Sequence, residues 1–384
     1  MAAFPEQFRK LLTESVGESL AAQALLALAE EPSVSVRLNP AKLTECPFPA
    51  AVPVPWSPYG YLLKDRPVFT LDPLFHAGAY YVQDSSAMFV GHLFRQVLAG
   101  KGEGLSVLDL CAAPGGKTTD LAASLQAHDG GKSVLLANEV IRSRFSVLRD
   151  NVATWGNPHV GVVSRDPSAF GSTPLFDIIL ADVPCSGEGM FRKDAKAVED
   201  WSEETVEFCA ARSRRILSDI WPALKEGGIL LYSTCTFNRK ENDGTVAWAA
   251  AGLGADILDL GPQEPALRTE HGYLMLPGRV PGEGQYAAVL RKHGAGESVR
   301  RGSPLVLFRA EVPAGPLPDL PRWEADRATA LQYLHGDVLR LPPEAPRGLL
   351  LITYCGLPLG EAKNLGTRCN NLYPKAKRIK MDIR

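Results

Sequence analysis

The sequence predicts an α/β protein: a doubly wound, mostly parallel sheet, preceded by a small α/β unit and followed by a second globular unit. Two observations predict this. Residues 107–119, VLDLCAAPGGKTT, read as a buried strand, a glycine turn and a helix start. Beyond them, short apolar runs alternate with helical stretches, the pattern of parallel strands joined through crossover helices. Length agrees, since 384 residues correspond to roughly two or three domains. Apolar content of 45% and charged content of 22% are those of an ordinary globular chain, which excludes a fibrous or low-complexity one.

Taken in order, residues 4–29 place Phe8, Leu11, Leu12, Leu20, Leu25, Leu26 and Leu28 at helical spacing, so one or two amphipathic helices are expected. Val34–Leu38 alternates like a strand and stops at Asn39-Pro40. Residues 46–60 hold five prolines and are expected to be an irregular connector. Gln83-Asp84-Ser85-Ser86 reads as a helix cap, with Met88, Phe89, Val90, Leu93, Phe94 and Val97 as the buried stripe. Tyr80 and Tyr81 are read as core. Strands are expected over 133–138, 159–163, 176–181 and 229–234, and helices over 143–155, 206–224 and 242–248.

The glycine turn is a cradle for a ligand, because glycine lets the backbone approach closely and the helix start presents free N–H groups. A Walker loop is disfavoured, since Cys111 stands where its first glycine belongs. The dinucleotide glycine spacing is absent too. A nucleoside without a polyphosphate remains, and S-adenosylmethionine fits; a strand–helix turn with no ligand is the plainer alternative. Glu139, at the end of the next strand, stands where a ribose diol is held in doubly wound folds. Asp166, after the third strand, either meets an adenine amino group or caps a turn.

Cys111, Cys185 and Cys235 each follow a predicted strand, so a parallel sheet puts all three on one rim. Cys185 shares its loop with Asp182. Thiols beside a methyl donor point to covalent catalysis on an electron-poor ring. Cys209 is expected to be core, and Cys355 and Cys369 structural.

LDLCAAPGGKT, ADVPCSGEGMFRKD and LLYSTCTFNRKEND, in this order, resemble the RNA 5-methylcytosine methyltransferases of the Nol/Nop/Sun type. SVRLNP, GAYYVQDSSAM and GRVPGEGQYAAVLRK resemble them too, and the tail from Gly348 is similar to that of the bacterial 16S ribosomal RNA, RsmF-type branch. The resemblance implies a Rossmann-like class I S-adenosylmethionine methyltransferase with an N-terminal RNA-binding unit (1–75), a catalytic domain (76–293) and a C-terminal PUA-like RNA-binding domain (303–384). Cys111, Ala112, Ala113, Pro114, Gly115, Gly116 and Lys117 would wrap the methionine part, Glu139 the ribose and Asp166 the adenine side. Asp182 would lie near donor and target base. Cys235 would be the nucleophile and Cys185 would assist product release. Pro184-Cys185 remains a rival nucleophile, as in DNA cytosine methyltransferases, although the motif order of the RNA family favours Cys235.

The expected substrate is 16S ribosomal RNA or the 30S subunit, with transfer RNA, or a non-catalytic role in ribosome assembly, as alternatives. Net charge is only −2, yet the last twenty-four residues carry seven basic side chains (Lys363, Arg368, Lys375, Lys377, Arg378, Lys380, Arg384) against Glu361 and Asp382. RNA contact would therefore come from a local basic face; a solvated basic tail is the plainer reading. No apolar run is long enough to span a bilayer, and MAAFPEQFRK is no signal peptide. Seven cysteines without a C-x-x-C pair argue against a disulfide framework or a zinc site. A cytoplasmic protein without a metal is expected. His293–Gly302 reads as a linker.

Overall fold

The computed structural model describes residues 4–171, 173–294, 302–315 and 318–383; residues 295–301 of the expected linker, and Arg384, lie outside them. A nine-stranded sheet forms the centre. From one edge it runs Leu267–Arg268, Tyr273–Met275, Gln285–Lys292, Leu224–Thr234, Phe176–Asp182, Ser106–Asp109, Val134–Asn138 and Val160–Val163, with Ala255–Ile257 beside Gln285–Lys292. The five strands from Leu224–Thr234 to Val160–Val163 are parallel. Gln285–Lys292 joins them antiparallel, with Val289 opposite Leu231. Alternate residues of each strand serve opposite faces. Leu108 and Ile179 enter one apolar core with Val206, Ile216 and Leu217 of the helix Glu203–Ile220. Val107 and Ile178 enter the other, with Phe89, Leu93 and Phe94 of the helix Met88–Leu98.

The parallel strands and the helices Arg142–Trp155 and Asp243–Leu253 stand where the sequence puts them. Two of the expected elements need correction. The helix expected over 206–224 ends at Ile220, because Pro222 cannot continue the backbone ladder, and Leu224 already begins the next strand, which runs through Gly227 and Gly228. The connector over 46–60 contains the short strand Val52–Pro53 and leads into Gly60–Leu63. These strands, with Val34–Leu38 and Tyr80–Val82, make an antiparallel N-terminal sheet that runs past the expected boundary at residue 75.

The helices Glu6–Val16 and Glu18–Leu28 do not share a core with that sheet. Phe8 is fully buried in the central core, its ring 4.9 Å from Phe191 and 5.8 Å from Trp201. Leu26, expected on the buried stripe, is exposed. Arg37, itself fully buried, helps to tie the N-terminal sheet to the centre: its guanidinium donates to the Gly116 carbonyl at 3.0 Å and to Thr119 Oγ1 at 2.5 Å.

The C-terminal sheet orders Arg322–Glu324, Gly348–Tyr354, Leu357–Asn364 and Cys369–Asn371. Residues 304–311, expected in this unit, pack instead on the central domain. Glu311 and Val162 exchange two backbone hydrogen bonds, at 3.0 and 2.7 Å, and the Phe308 ring lies 4.9 Å from Phe170.

Candidate active site

The sheet rim collects the chemistry. Gly115 adopts φ +110°, a left-handed turn open to glycine, and the helix Gly116–Asp129 starts behind it. The N–H groups of its first turn have no acceptor within the helix, which suits a polar ligand at the turn. The turn is braced from outside: Asn151 Nδ2 donates to the Pro114 carbonyl at 2.8 Å and Arg144 Nη2 to that of Ala113 at 2.6 Å.

Lys117 reaches from the cradle to the acid of the second loop, Nζ lying 2.9 Å from Asp182 Oδ2. Asp182 Oδ1 accepts from Ser233 Oγ at 2.7 Å and lies 3.4 Å from Gln285 Nε2. Burial alone would lower the Lys117 ammonium, but Asp182 outweighs it and its pKa rises. The lysine remains a cation between the two loops.

The Cys185 and Cys235 sulfurs are 3.3 Å apart, and both residues are partly exposed. Their hydrogen bond separates the two thiols. It lowers Cys235 against the effect of burial, and Lys117 pulls the same way. Cys185 is raised well above the ordinary thiol range by the same bond and by burial. Of the two thiols, Cys235 is therefore the more readily ionised and Cys185 the less. Burial pushes Cys111 up, as do the carboxylates of Asp109, Asp182 and Glu139, so it stays an unreactive thiol.

Two buried carboxylates hold the cysteine loops together. Glu188 accepts from the Phe237 N–H at 2.6 Å, the Asn238 N–H at 3.1 Å, Asn238 Nδ2 at 3.0 Å and Trp201 Nε1 at 3.2 Å. Glu241 accepts from the Ser186 N–H at 2.9 Å and Ser186 Oγ at 2.5 Å, beside Cys185. The Gly189 N–H donates to the Cys235 carbonyl at 2.8 Å. Glu188 and Glu241 are themselves buried, and these donors are what offsets the cost of taking them from water. Glu188 and Glu241 lie inside the two cysteine motifs, but nothing in their spacing says that they face one another; only the pairing of Phe176–Asp182 with Leu224–Thr234 brings the loops together.

Glu139 ends the strand Val134–Asn138 and is buried. Its Oε1 accepts from the Ile141 N–H at 2.9 Å, and Arg144 Nη1 lies 3.3 Å from Oε2. Asp109 Oδ1 is a buried acceptor without a hydrogen-bond donor, and Glu139 Oε2 has the Arg144 ion pair but no hydrogen bond. A ligand carrying hydroxyl and amino groups supplies what they lack, so the cradle fits the nucleoside and amino-acid ends of S-adenosylmethionine. Asp166 is exposed and caps the turn Pro167–Phe170, accepting from the Ser168 N–H at 3.1 Å and Ser168 Oγ at 2.7 Å. Of its two readings, the turn cap is the contact the structure displays. Among the described residues, no group of three or more His, Cys, Asp or Glu is arranged to hold a metal ion, and no helix is long and apolar enough to cross a membrane.

A family model described as 16S rRNA methyltransferase RsmB/F matches residues 96–291, just over half of the chain. The chain belongs to that family. Models described as the N-terminal domain of 16S rRNA methyltransferase RsmF and as the methyltransferase RsmF PUA domain match residues 3–85 and 321–379 of this RsmB/F-family chain. Ribosomal RNA small subunit methyltransferase F of Cronobacter sakazakii is 36% identical over 310 residues, which is 75% of this chain and 63% of that protein. Its namesake from Escherichia coli is 33% identical over 311 residues, with the same coverage of 75% and 63%. The chain therefore spans less than two thirds of the length of these curated relatives. Among solved structures, the methyltransferase homolog protein from Pyrococcus horikoshii is 27% identical with a TM-score of 0.63, over 76% of this chain and 96% of that one. NSun6 from Pyrococcus horikoshii with SFG shares the fold at 20% identity and a TM-score of 0.63, over 76% of this chain and 99% of that one. The RsmB/F-family chain thus has the class I S-adenosylmethionine methyltransferase fold, with an N-terminal unit and a C-terminal PUA domain.

Proposed function

We propose that this chain transfers a methyl group from S-adenosylmethionine to carbon 5 of cytosine in 16S ribosomal RNA, in the cytoplasm, with Cys235 as nucleophile. The observation that carries the reading is the Cys235 sulfur, 3.3 Å from the Cys185 sulfur and lowered by that contact and by Lys117. Carbon 5 of cytosine is a weak nucleophile. Addition of the Cys235 thiolate to carbon 6 makes it enamine-like, and charge moves toward ring nitrogen 3. The Lys117–Asp182 pair stands ready to share a proton there. S-adenosylmethionine, held by Cys111–Lys117, Glu139 and Asp166, supplies the methyl group. The carbon 5 proton then passes to a water molecule as the bond between carbon 6 and the Cys235 sulfur breaks, and the Cys185 thiol stabilises the departing Cys235 thiolate through its hydrogen bond. The target base must be unpaired or extruded, because carbon 6 cannot be attacked inside a stack. The names of the relatives and the matched RsmF domains support the small-subunit RNA as substrate.

Tritium transfer from labelled S-adenosylmethionine to 16S RNA, followed by nucleoside analysis, tests the reading. Cys235→Ala is expected to lose methylation by at least about 10³-fold while keeping the methyl donor bound, and Cys185→Ala to accumulate a covalent RNA adduct. Activity surviving in Cys235→Ala and lost in Cys185→Ala would reverse the roles. No labelled 5-methylcytosine from the wild-type chain would remove the proposal.

A further inference from the structure

Away from the cysteine rim, a groove of about 800 Å³ opens where the three units of the chain meet. One wall comes from residues 66–82 of the N-terminal unit, a second from Asn151, Thr154 and Trp155 of the helix Arg142–Trp155, and a third from Tyr373 and Lys377 of the PUA domain. Neither reactive cysteine lines it, nor does Lys117, Glu139 or Asp182. We propose that this groove holds an unpaired nucleotide of the substrate RNA next to the target, as a second recognition site. The inference rests on the RNA-substrate reading above.

The lining has the chemistry of a single-strand site. Phe75 and Tyr81, both half-buried, give aromatic surface on which a base stacks whatever its identity, and Phe69, Trp155 and Tyr373 are buried in the wall behind them. Arg66 and Lys377 stand on opposite walls, both exposed, and neither forms an ion pair with a described residue. The Arg66 guanidinium lies 5.7 Å from the centroid of the buried Phe69 ring, which holds the cation at the groove wall for a phosphate to meet. The single lining carboxylate, Asp150, is 3.4 Å from Arg149 and is compensated. Lys375 and Lys380, both exposed, continue the positive charge along the PUA side. A groove this size lies in the range of nucleotide-sized ligands.

Its place explains its use. Asn151, on the groove wall, also holds the Pro114 carbonyl, and a Cβ built on Gly116 would meet the Tyr81 ring at 3.2 Å. The groove therefore backs on the cradle turn, and a strand held there passes the methyl-donor site on its way to the cysteine rim. A free surface of the PUA domain alone would give no such register.

The test uses the full chain, a single-stranded 16S RNA fragment with 4-thiouridine at positions flanking the cytosine, and the variant Arg66→Glu/Lys377→Glu. Both positions are exposed, so the fold is retained. Irradiation of the wild-type complex is expected to cross-link peptides carrying Tyr81 or Tyr373. The double variant is expected to bind the RNA at least about tenfold more weakly, with the slope of log affinity against log salt reduced by about 1.4, from 0.7 per lost phosphate contact on a single strand. Its affinity for S-adenosylmethionine should be unchanged. Wild-type RNA affinity in the double variant, or cross-links confined to other surfaces, overturns the groove while leaving the methylation reading in place. Loss of S-adenosylmethionine binding with RNA binding intact would assign the groove to the donor and overturn it too. A wild-type chain that methylates no RNA brings down both readings together.

Discussion

Lys117 is the residue whose role the tertiary structure changes most. Its sequence position makes it part of a cofactor cradle, yet its ammonium is paired with Asp182 and lowers the Cys235 thiol. Lys117→Met is expected to raise the Cys235 pKa and to slow its alkylation by iodoacetamide at pH 7 by about tenfold, a shift of order one pKa unit. A pH profile of the alkylation rate, with Cys185→Ala as reference, reads this directly. Asp109 offers a second handle. Burial raises its pKa to about 7, and the Thr118 hydroxyl at 2.6 Å only partly offsets this. A folded-state pKa above the unfolded value means that the native chain binds the extra proton. Stability from this group is therefore full below about pH 4 and falls as pH rises toward 7. Asp109→Asn should flatten the change in urea midpoint between pH 4.5 and 7.5; an unchanged profile would show that other groups set it.

At the scale of elements, the two cysteine loops act as one device because adjacent parallel strands deliver them side by side. Gly189 has room only for hydrogen: a Cβ there would meet the Cys235 carbonyl oxygen at 2.9 Å and that of Glu283 at 3.0 Å. Gly189→Ala should displace the Cys235 loop and cut methylation by at least about tenfold, since a misplacement of an ångström can cost a hundredfold, while S-adenosylmethionine binding stays near wild type. The helix Glu203–Ile220 packs the underside of this region. Ser202 Oγ caps it by accepting from the Thr205 N–H at 3.1 Å. Ser202→Ala is expected to cost about 1 kcal/mol in chemical denaturation, without a change in the Cys235 alkylation profile. The N-terminal helices are anchored by Phe8, so Phe8→Ala should cost about 3–5 kcal/mol, far more than a detached N-terminal unit would lose.

For the whole molecule, the domain limits follow packing and not composition. Residues 304–311 lie past the glycine-rich stretch, yet Phe308 and Glu311 close the edge of the central sheet, and Arg165 donates to the Phe308 carbonyl at 3.2 Å. A chain cut after Ala314 should therefore keep the thermal midpoint of its catalytic domain, and a chain cut after Gly302 should lose several degrees by calorimetry. Strand and helix placement in the centre was legible from residues 107–248, because buried parallel strands are short apolar runs and crossover helices carry a stripe. The antiparallel half was not: Leu267–Arg268 and Tyr273–Met275 are too short to show a period; Tyr273–Met275 is a strand because Gln285–Lys292 offers it a partner, and Leu267–Arg268 because Tyr273–Met275 does. The cradle, the three cysteines at strand ends and Asp182 could be read by position alone, since covalent order and strand direction put them on one rim. What sequence order cannot state is distance between loops. The pairing of Cys235 with Cys185, of Lys117 with Asp182 and of Glu241 with Ser186, and the meeting of three units around one groove, exist only once the strands have lined up. Such contacts join residues far apart in the chain, and packing in three dimensions is what chooses them.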